Sequence, residues 1–143
     1  MIRFEASFDD GSHFDLKTVA LLDKYGFSNA GSRVVTFYIP AHWESYLATK
    51  DIEPLPYKKL VEIGERFEIG SHSINHHLLT RFPMEVVKHE IEGSKVMLEK
   101  MFNRPITKFC YPRGYYNEEI KKLVQAAGYE SARTVKVCEL TPA

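Results

Sequence analysis

Neither sign of charge prevails in this sequence of 143 residues: Lys and Arg together number 19, Asp and Glu 19, and the formal charge is zero. Without a net field to gather polyanions, nucleic acid and anionic membrane surfaces are not expected partners. Cysteine is scarce, with only Cys110 and Cys138. Their spacing makes no zinc knuckle and a chain this long needs no staple, so both read as free thiols. No apolar run reaches membrane-spanning length, and the first residues carry neither a basic leader nor a long apolar stretch. A soluble protein is expected, cytoplasmic by default, with its natural compartment left open. Low-complexity tracts, linkers and internal repeats are also missing. At this length one domain, residues 1–143, with its own hydrophobic core is expected.

What is present is a regular alternation. Ile2 to Phe8 alternates apolar and polar residues and stops at Asp9-Asp10-Gly11, which predicts a strand ending in a tight turn. Asp15 is placed to cap the helix that follows, with Phe14 and Val19 as a staple and Leu16, Val19 and Leu22 as its core stripe up to Gly26. Val34 to Ile39, β-branched and aromatic, predicts a second, buried strand. After an irregular stretch through Trp43 and Pro56, Tyr57 to Arg66 carries a short helical pattern. Phe67 to Gly70 then reads as a strand that delivers Ser71-His72-Ser73-Ile74-Asn75-His76-His77 into a loop. The longest helix runs from Pro83, suited to the first helical position, to Phe102, with Val87, Ile91, Leu98 and Met101 at helical spacing. Thr107 to Tyr111 predicts a strand leading into Pro112-Arg113-Gly114. Asn117 caps a last helix ending at Gly128, and Tyr129 to Val135 predicts a fifth strand. Strands alternating with helices favour a parallel sheet with right-handed crossovers, either a barrel or an open doubly wound sheet.

In parallel α/β folds functional groups gather at the C-terminal ends of the strands, and here three strand ends carry unusual polar clusters. Asp10, His72 and His76 offer one carboxylate and two imidazoles, a set that suits zinc and leaves positions open for water and substrate. Asp9, the second carboxylate, is placed to take a proton from water that such an ion has made more acidic. Alone, Asp-Asp-Gly is most often a plain turn and the His-x-x-x-His spacing only two loop histidines; together, after strands, they favour a metal site. His77 should point elsewhere, His13, His42 and His89 show no partner pattern, and Trp43 is more often packing than a sugar platform.

Ser7-Phe8-Asp9-Asp10-Gly11, His72-Ser73-Ile74-Asn75-His76 and Phe109-Cys110-Tyr111-Pro112-Arg113-Gly114 resemble, in order and spacing, three motifs of the polysaccharide deacetylases, the NodB-homology carbohydrate esterases. Lys24-Tyr25-Gly26 and Phe37-Tyr38-Ile39-Pro40 are similar to the family too, so the likeness covers nearly the whole chain. The resemblance implies a distorted (β/α) barrel, Asp9 as general base, Asp10, His72 and His76 as ligands of a divalent metal, most readily zinc, and an oxyanion and substrate region at Tyr111, Pro112 and Arg113. The backbone N–H of Arg113 takes the oxyanion role. It implies hydrolysis of an N-acetyl or O-acetyl group on a saccharide such as an N-acetylglucosamine polymer.

Two departures qualify this. Cys110 stands where many members have an arginine bracing the base, and Arg113 where tyrosine is common. The family's later motifs, an Asp/Trp pair and a Leu-x-His supplying the general acid, fall beyond Ala143, so the barrel reads as incomplete at its C-terminus. Lack of that acid would cost about 10²–10⁴-fold in rate, and uncovered barrel edges would invite a homo-oligomer. A non-catalytic saccharide-binding or structural relic, and an amidase of the same superfamily acting on a small nitrogenous substrate, are the alternatives.

Overall fold

The computed structural model describes residues 5–27 and 35–136. Strands β1 (Ala6–Asp9), β2 (Val35–Ile39), β3 (Glu68–Ser71), β4 (Lys108–Cys110) and β5 (Ser131–Arg133) form one parallel sheet in the order in which they occur along the chain. Between them lie α1 (Asp15–Lys24), α2 (Trp43–Ala48), α3 (Tyr57–Arg66), α4 (Met84–Phe102) and α5 (Glu118–Ala126). Each strand pairs with the next, which is the connectivity of a barrel; an open doubly wound sheet reverses its order part-way.

The sheet is also curled. In a flat sheet β1 and β5 would stand four strand spacings apart, roughly 19 Å, beyond the reach of any side chain. Yet Arg133 on β5 donates to Asp9 on β1, and Lys108 Nζ on β4 reaches Glu5 Oε1, next to β1, at 2.6 Å. The five strands thus form part of a (β/α) barrel wall. Alternation gives that wall two faces. Phe8, Phe37 and Phe67 meet one another on the helix side at centroid separations of 5.4 and 5.5 Å, joined there by the fully buried Ile69 and Phe109. Asp9, Thr36, Tyr38, Lys108, Cys110 and Arg133 meet on the concave side. A conventional core therefore lies outside the curl and a polar lumen inside it.

The helices cover the apolar side. Val87, Ile91 and Leu98 of α4 and Ile120 of α5 are 0% exposed, and each side chain so buried contributes about 1.5–3 kcal/mol. Asn117 caps α5 by accepting from Ile120 N at 2.9 Å. Four local expectations fail. Asp15 is the first residue of α1, not its cap, because the turn closed by Asp15 N and Ser12 O carries its carboxyl inward, to 5% exposure. Leu16 and Phe14 stay exposed, so α1 rests on Val19 and Leu22. The stretch read as irregular contains α2, six residues long and too short for a helical period to show; its Trp43 is buried, with Nε1 donating to Leu55 O at 2.9 Å. Pro83 precedes the first helical residue, with extended backbone at ψ 147°. Ile2, Val34 and Cys138 lie outside the described residues, and Cys110 is a buried free thiol.

Gly70 marks the tightest point of the lumen. A Cβ there would stand 2.4 Å from the Tyr38 ring and 3.2 Å from Lys108 O. Gly70→Ala is expected to cost about 1–3 kcal/mol in urea unfolding. The cost should shrink in a Tyr38→Leu background, where the added methyl meets no ring; an equal cost in both backgrounds would show that the ring is not what excludes it.

Candidate metal centre

The chain turns sharply at each of the strand ends that carry polar clusters. Asp10, directly after β1, has φ 82°, Ser73 and His76 after β3 have 66° and 56°, and Arg113 after β4 has 58°. Left-handed backbone is costly for residues with a Cβ and concentrates where surrounding structure holds it for a use. Gly11, at φ 70°, is a further left-handed residue in the first turn; a Cβ on it would press on Ile39 and Trp43 at 3.3 and 3.4 Å. These turns bring Asp10, His72 and His76 over one end of the sheet.

His72 is 2% exposed, and its Nδ1 donates to the Cys110 carbonyl at 2.8 Å. That bond assigns the proton to Nδ1 and leaves Nε2 as a bare lone pair. The His72 Nε2 lies 3.7 Å and the His76 Nε2 3.6 Å from Asp10 Oδ1, and one donor atom from each residue fits within a 4.8 Å span. Ligands around a tetrahedral zinc ion with bonds of about 2.0–2.1 Å stand roughly 3.4 Å apart. Burial pushes both imidazoles down to about 4, so they are neutral at pH 7. Burial, with the adjacent Asp9 charge, pushes Asp10 up to about 6. Asp10 Oδ1 is buried and accepts no hydrogen bond. A bare carboxylate oxygen facing the lone pair of His72 Nε2, with a second uncharged imidazole at a similar distance, is a donor set that fits a divalent cation.

Asp9 is held differently. Its Oδ2 accepts from Arg133 Nη2, while Oδ1 is buried and unpartnered. Arg133 also meets Cys110 Sγ at 3.1 Å and lies over the Tyr38 ring at 5.3 Å. Asp9, His72 and Cys110 make a second trio of the right spacing. There burial and the Asp9 charge push the thiol up to about 12, and its sulfur already meets Arg133. Asp15 adds a third carboxyl behind the pair, raised to about 7 by burial and by Asp10 and Asp9.

The loop that carries both histidines rests on Glu90 of α4, which is 1% exposed. Its carboxylate accepts from Ile74 N at 3.0 Å, Asn75 N at 2.9 Å and Asn75 Nδ2 at 2.6 Å. The Tyr46 ring stacks on His76 at 4.2 Å. His77 does point elsewhere, stacking on Phe82 at 4.5 Å and facing Glu90 at 3.5 Å. Tyr111 and Pro112 are buried, Tyr111 against Tyr116 at 4.7 Å. Arg113 is exposed and borders a groove beside His76.

Sequence reasoning missed Glu90, Arg133, Tyr46 and Asp15. Glu90 did leave a signal, since it sits on the buried stripe of Val87, Ile91, Ser94 and Leu98, where an unpaired charge has no place. Nothing local marks Arg133, whose partner is 124 positions away.

The family model for polysaccharide deacetylase matches residues 4–132. Over 76 residues the chain is 32% identical to the peptidoglycan-N-acetylglucosamine deacetylase of Bacillus cereus, covering 53% of this chain and 35% of that one. The solved structure of the Streptococcus pyogenes deacetylase PplD superposes with a TM-score of 0.70 at 23% identity, over 87% of this chain and 52% of that one. BA3943 of Bacillus anthracis, a CE4 family pseudoenzyme, does so with a TM-score of 0.69 at 16% identity, over 91% and 42%. The chain belongs to the polysaccharide deacetylase family, and its sheet matches part of that family's barrel. It spans between 35% and 52% of the length of these relatives.

Two outcomes test the geometry. Glu90→Ala strands two loop N–H groups, so it is expected to lower stability by about 2–4 kcal/mol in urea and to weaken zinc binding with it; full affinity in the folded variant would deny Glu90 its supporting role. The second concerns pH. A proton on a ligand atom removes its lone pair, so affinity must fall on acidification. Calorimetric zinc affinity is expected to be level above about pH 7 and to drop about tenfold per pH unit once Asp10 protonates near 6. It should fall more steeply as the histidines protonate near 4. A midpoint at the ordinary histidine value, near 6.5, with two protons taken up would contradict it.

Proposed function

From membership of the polysaccharide deacetylase family, we propose that this chain is a metal-dependent carbohydrate deacetylase. Asp10, His72 and His76 hold one divalent ion, zinc by donor preference. The substrate is a saccharide bearing N-acetyl or O-acetyl groups, such as an N-acetylglucosamine polymer. The observation that carries this reading is the buried, unpartnered Asp10 Oδ1 facing two neutral imidazole nitrogens at 3.6 and 3.7 Å.

A bound ion supplies Lewis acidity, making water a better nucleophile at neutral pH. The residues of the chain do the rest. Arg133 engages one oxygen of Asp9 and leaves Oδ1 open, so the carboxylate is oriented with one basic oxygen available for the proton of the attacking water. The Arg113 backbone N–H, on the turn after β4, is assigned to the developing oxyanion by analogy with the family. The water oxygen bonds to the acetyl carbon as Asp9 takes its proton, and the C–N or C–O bond breaks as that proton passes from the Asp9 carboxyl to the departing nitrogen or oxygen, leaving acetate and the sugar amine or hydroxyl.

One observation favours a second reading: among the structural neighbours, BA3943 is a pseudoenzyme with a TM-score of 0.69. A saccharide-binding relative without turnover would keep the fold and release no acetate.

Both readings are separated by metal content and acetate release measured together. One equivalent of zinc is expected in the wild type, Asp9→Asn and Arg133→Ala, and none in His72→Ala. Acetate release from chitin oligosaccharides should fall about 10²–10⁴-fold in Asp9→Asn and by a smaller factor in Arg133→Ala. Zinc without acetate release selects the second reading. A wild type that takes up no zinc removes the ligand assignment.

A further inference from the structure

Beside His76 the surface opens into a groove of about 540 Å³, bordered by Tyr46, Lys50, Asn75, His77 and Arg113. Among the described residues that line it there is no carboxylate. Lys50 and Arg113 are both exposed, and among the described residues neither enters an ion pair. Two unneutralised cations on one polar groove present a positive face to whatever lies in it.

The placement of Arg113 is itself costly. It holds a left-handed backbone at φ 58°, directly before Gly114 at φ 75°. A glycine at 113 would relieve that strain, so an arginine there points to a use for its guanidinium. The guanidinium is a planar fork of donors matched to carboxylates, and the Lys50 ammonium adds a second, more mobile charge. The proposed centre strengthens the field. A divalent ion held by one carboxylate stays positive, and the charge of Asp9 is offset by Arg133.

We propose that this groove selects saccharides carrying carboxylates alongside their N-acetyl groups, with Lys50 and Arg113 as the specificity-determining residues. The inference rests on the saccharide reading above and narrows it: a neutral N-acetylglucosamine polymer fits the acetyl chemistry but leaves both cations unanswered.

The test is calorimetric titration of the zinc-loaded protein with three probes. These are chitotetraose, a glycan of alternating N-acetylglucosamine and N-acetylmuramic acid with free lactyl carboxylates, and that glycan with its carboxylates reduced to alcohols. The carboxylate glycan is expected to bind about tenfold more tightly than the other two at low salt, and the advantage should fade toward 0.5 M salt as screening shortens to roughly 4 Å. Lys50→Met should remove part of the preference and leave chitotetraose binding unchanged; Arg113→Met, which keeps its backbone N–H, should lower the ratio of carboxylate-glycan to reduced-glycan affinity further. Equal affinity for the free and reduced glycans overturns the proposal, as does a preference that survives both substitutions. Failure of all three glycans to bind overturns the saccharide reading itself, and this inference with it.

Discussion

The hydrogen bond from His72 Nδ1 to the Cys110 carbonyl joins the ends of β3 and β4, and the arrangement of the centre depends on it. The backbone pairing between those strands registers only Ser71 against Phe109. One residue beyond it, a buried side chain takes over, at 2.8 Å. That single contact does two things at once. It continues the seam between two strands, and it fixes which imidazole nitrogen keeps its lone pair. Were the proton on Nε2, it would occupy the space between His72 and Asp10 Oδ1, 3.7 Å away, and leave no lone pair there for a cation. The donor set is thus a consequence of how two strand ends meet.

Around this seam the protein keeps its polar groups unequal. Glu90 is buried but answered by three donors from the histidine loop, so its burial is offset and the loop is held by it. Asp10 is half as deeply placed, yet its Oδ1 has no donor at all. Asp9 stands between these cases, one oxygen bound to Arg133 and one free. The fully answered carboxylate supports a loop, the bare one is the proposed cation ligand, and the half-answered one is the proposed proton acceptor.

The strands were legible in the sequence because β-branched and aromatic runs such as Val35 to Ile39 end abruptly in turn residues. The positions of Asp9, Asp10, His72 and His76 followed from those ends, since functional groups in parallel sheets collect there. Asp15 was misplaced because capping rules are local, while its orientation is set by a turn that draws the carboxyl toward Asp9 and Asp10. Helix α2 has too few residues to show a period. The choice between open sheet and barrel lay outside any window of sequence, because it is made by contacts such as Arg133 to Asp9 and Lys108 to Glu5, each spanning more than a hundred positions.

The contact of Arg133 with Asp9 separates two requirements of the site. Asp10, His72 and His76 come from β1 and β3, joined through β2 by extensive pairing, Ala6 to Asp9 against Val35 to Tyr38 and Thr36 to Ile39 against Glu68 to Ser71. The brace on Asp9 comes from β5, and it exists only while the sheet is curled. The thiol of Cys110 is small enough to leave Arg133 room to reach across the lumen, and its Sγ contacts the guanidinium on the way. The orientation of Asp9, the proposed base, is therefore tied to the closure of the wall, while the proposed metal ligands depend on β1 to β4, the last through the Cys110 carbonyl. Loosening of β5 would leave Asp10, His72 and His76 assembled and release the Asp9 carboxylate, so that the proposed cation site is less sensitive to closure of the wall than the proposed base is.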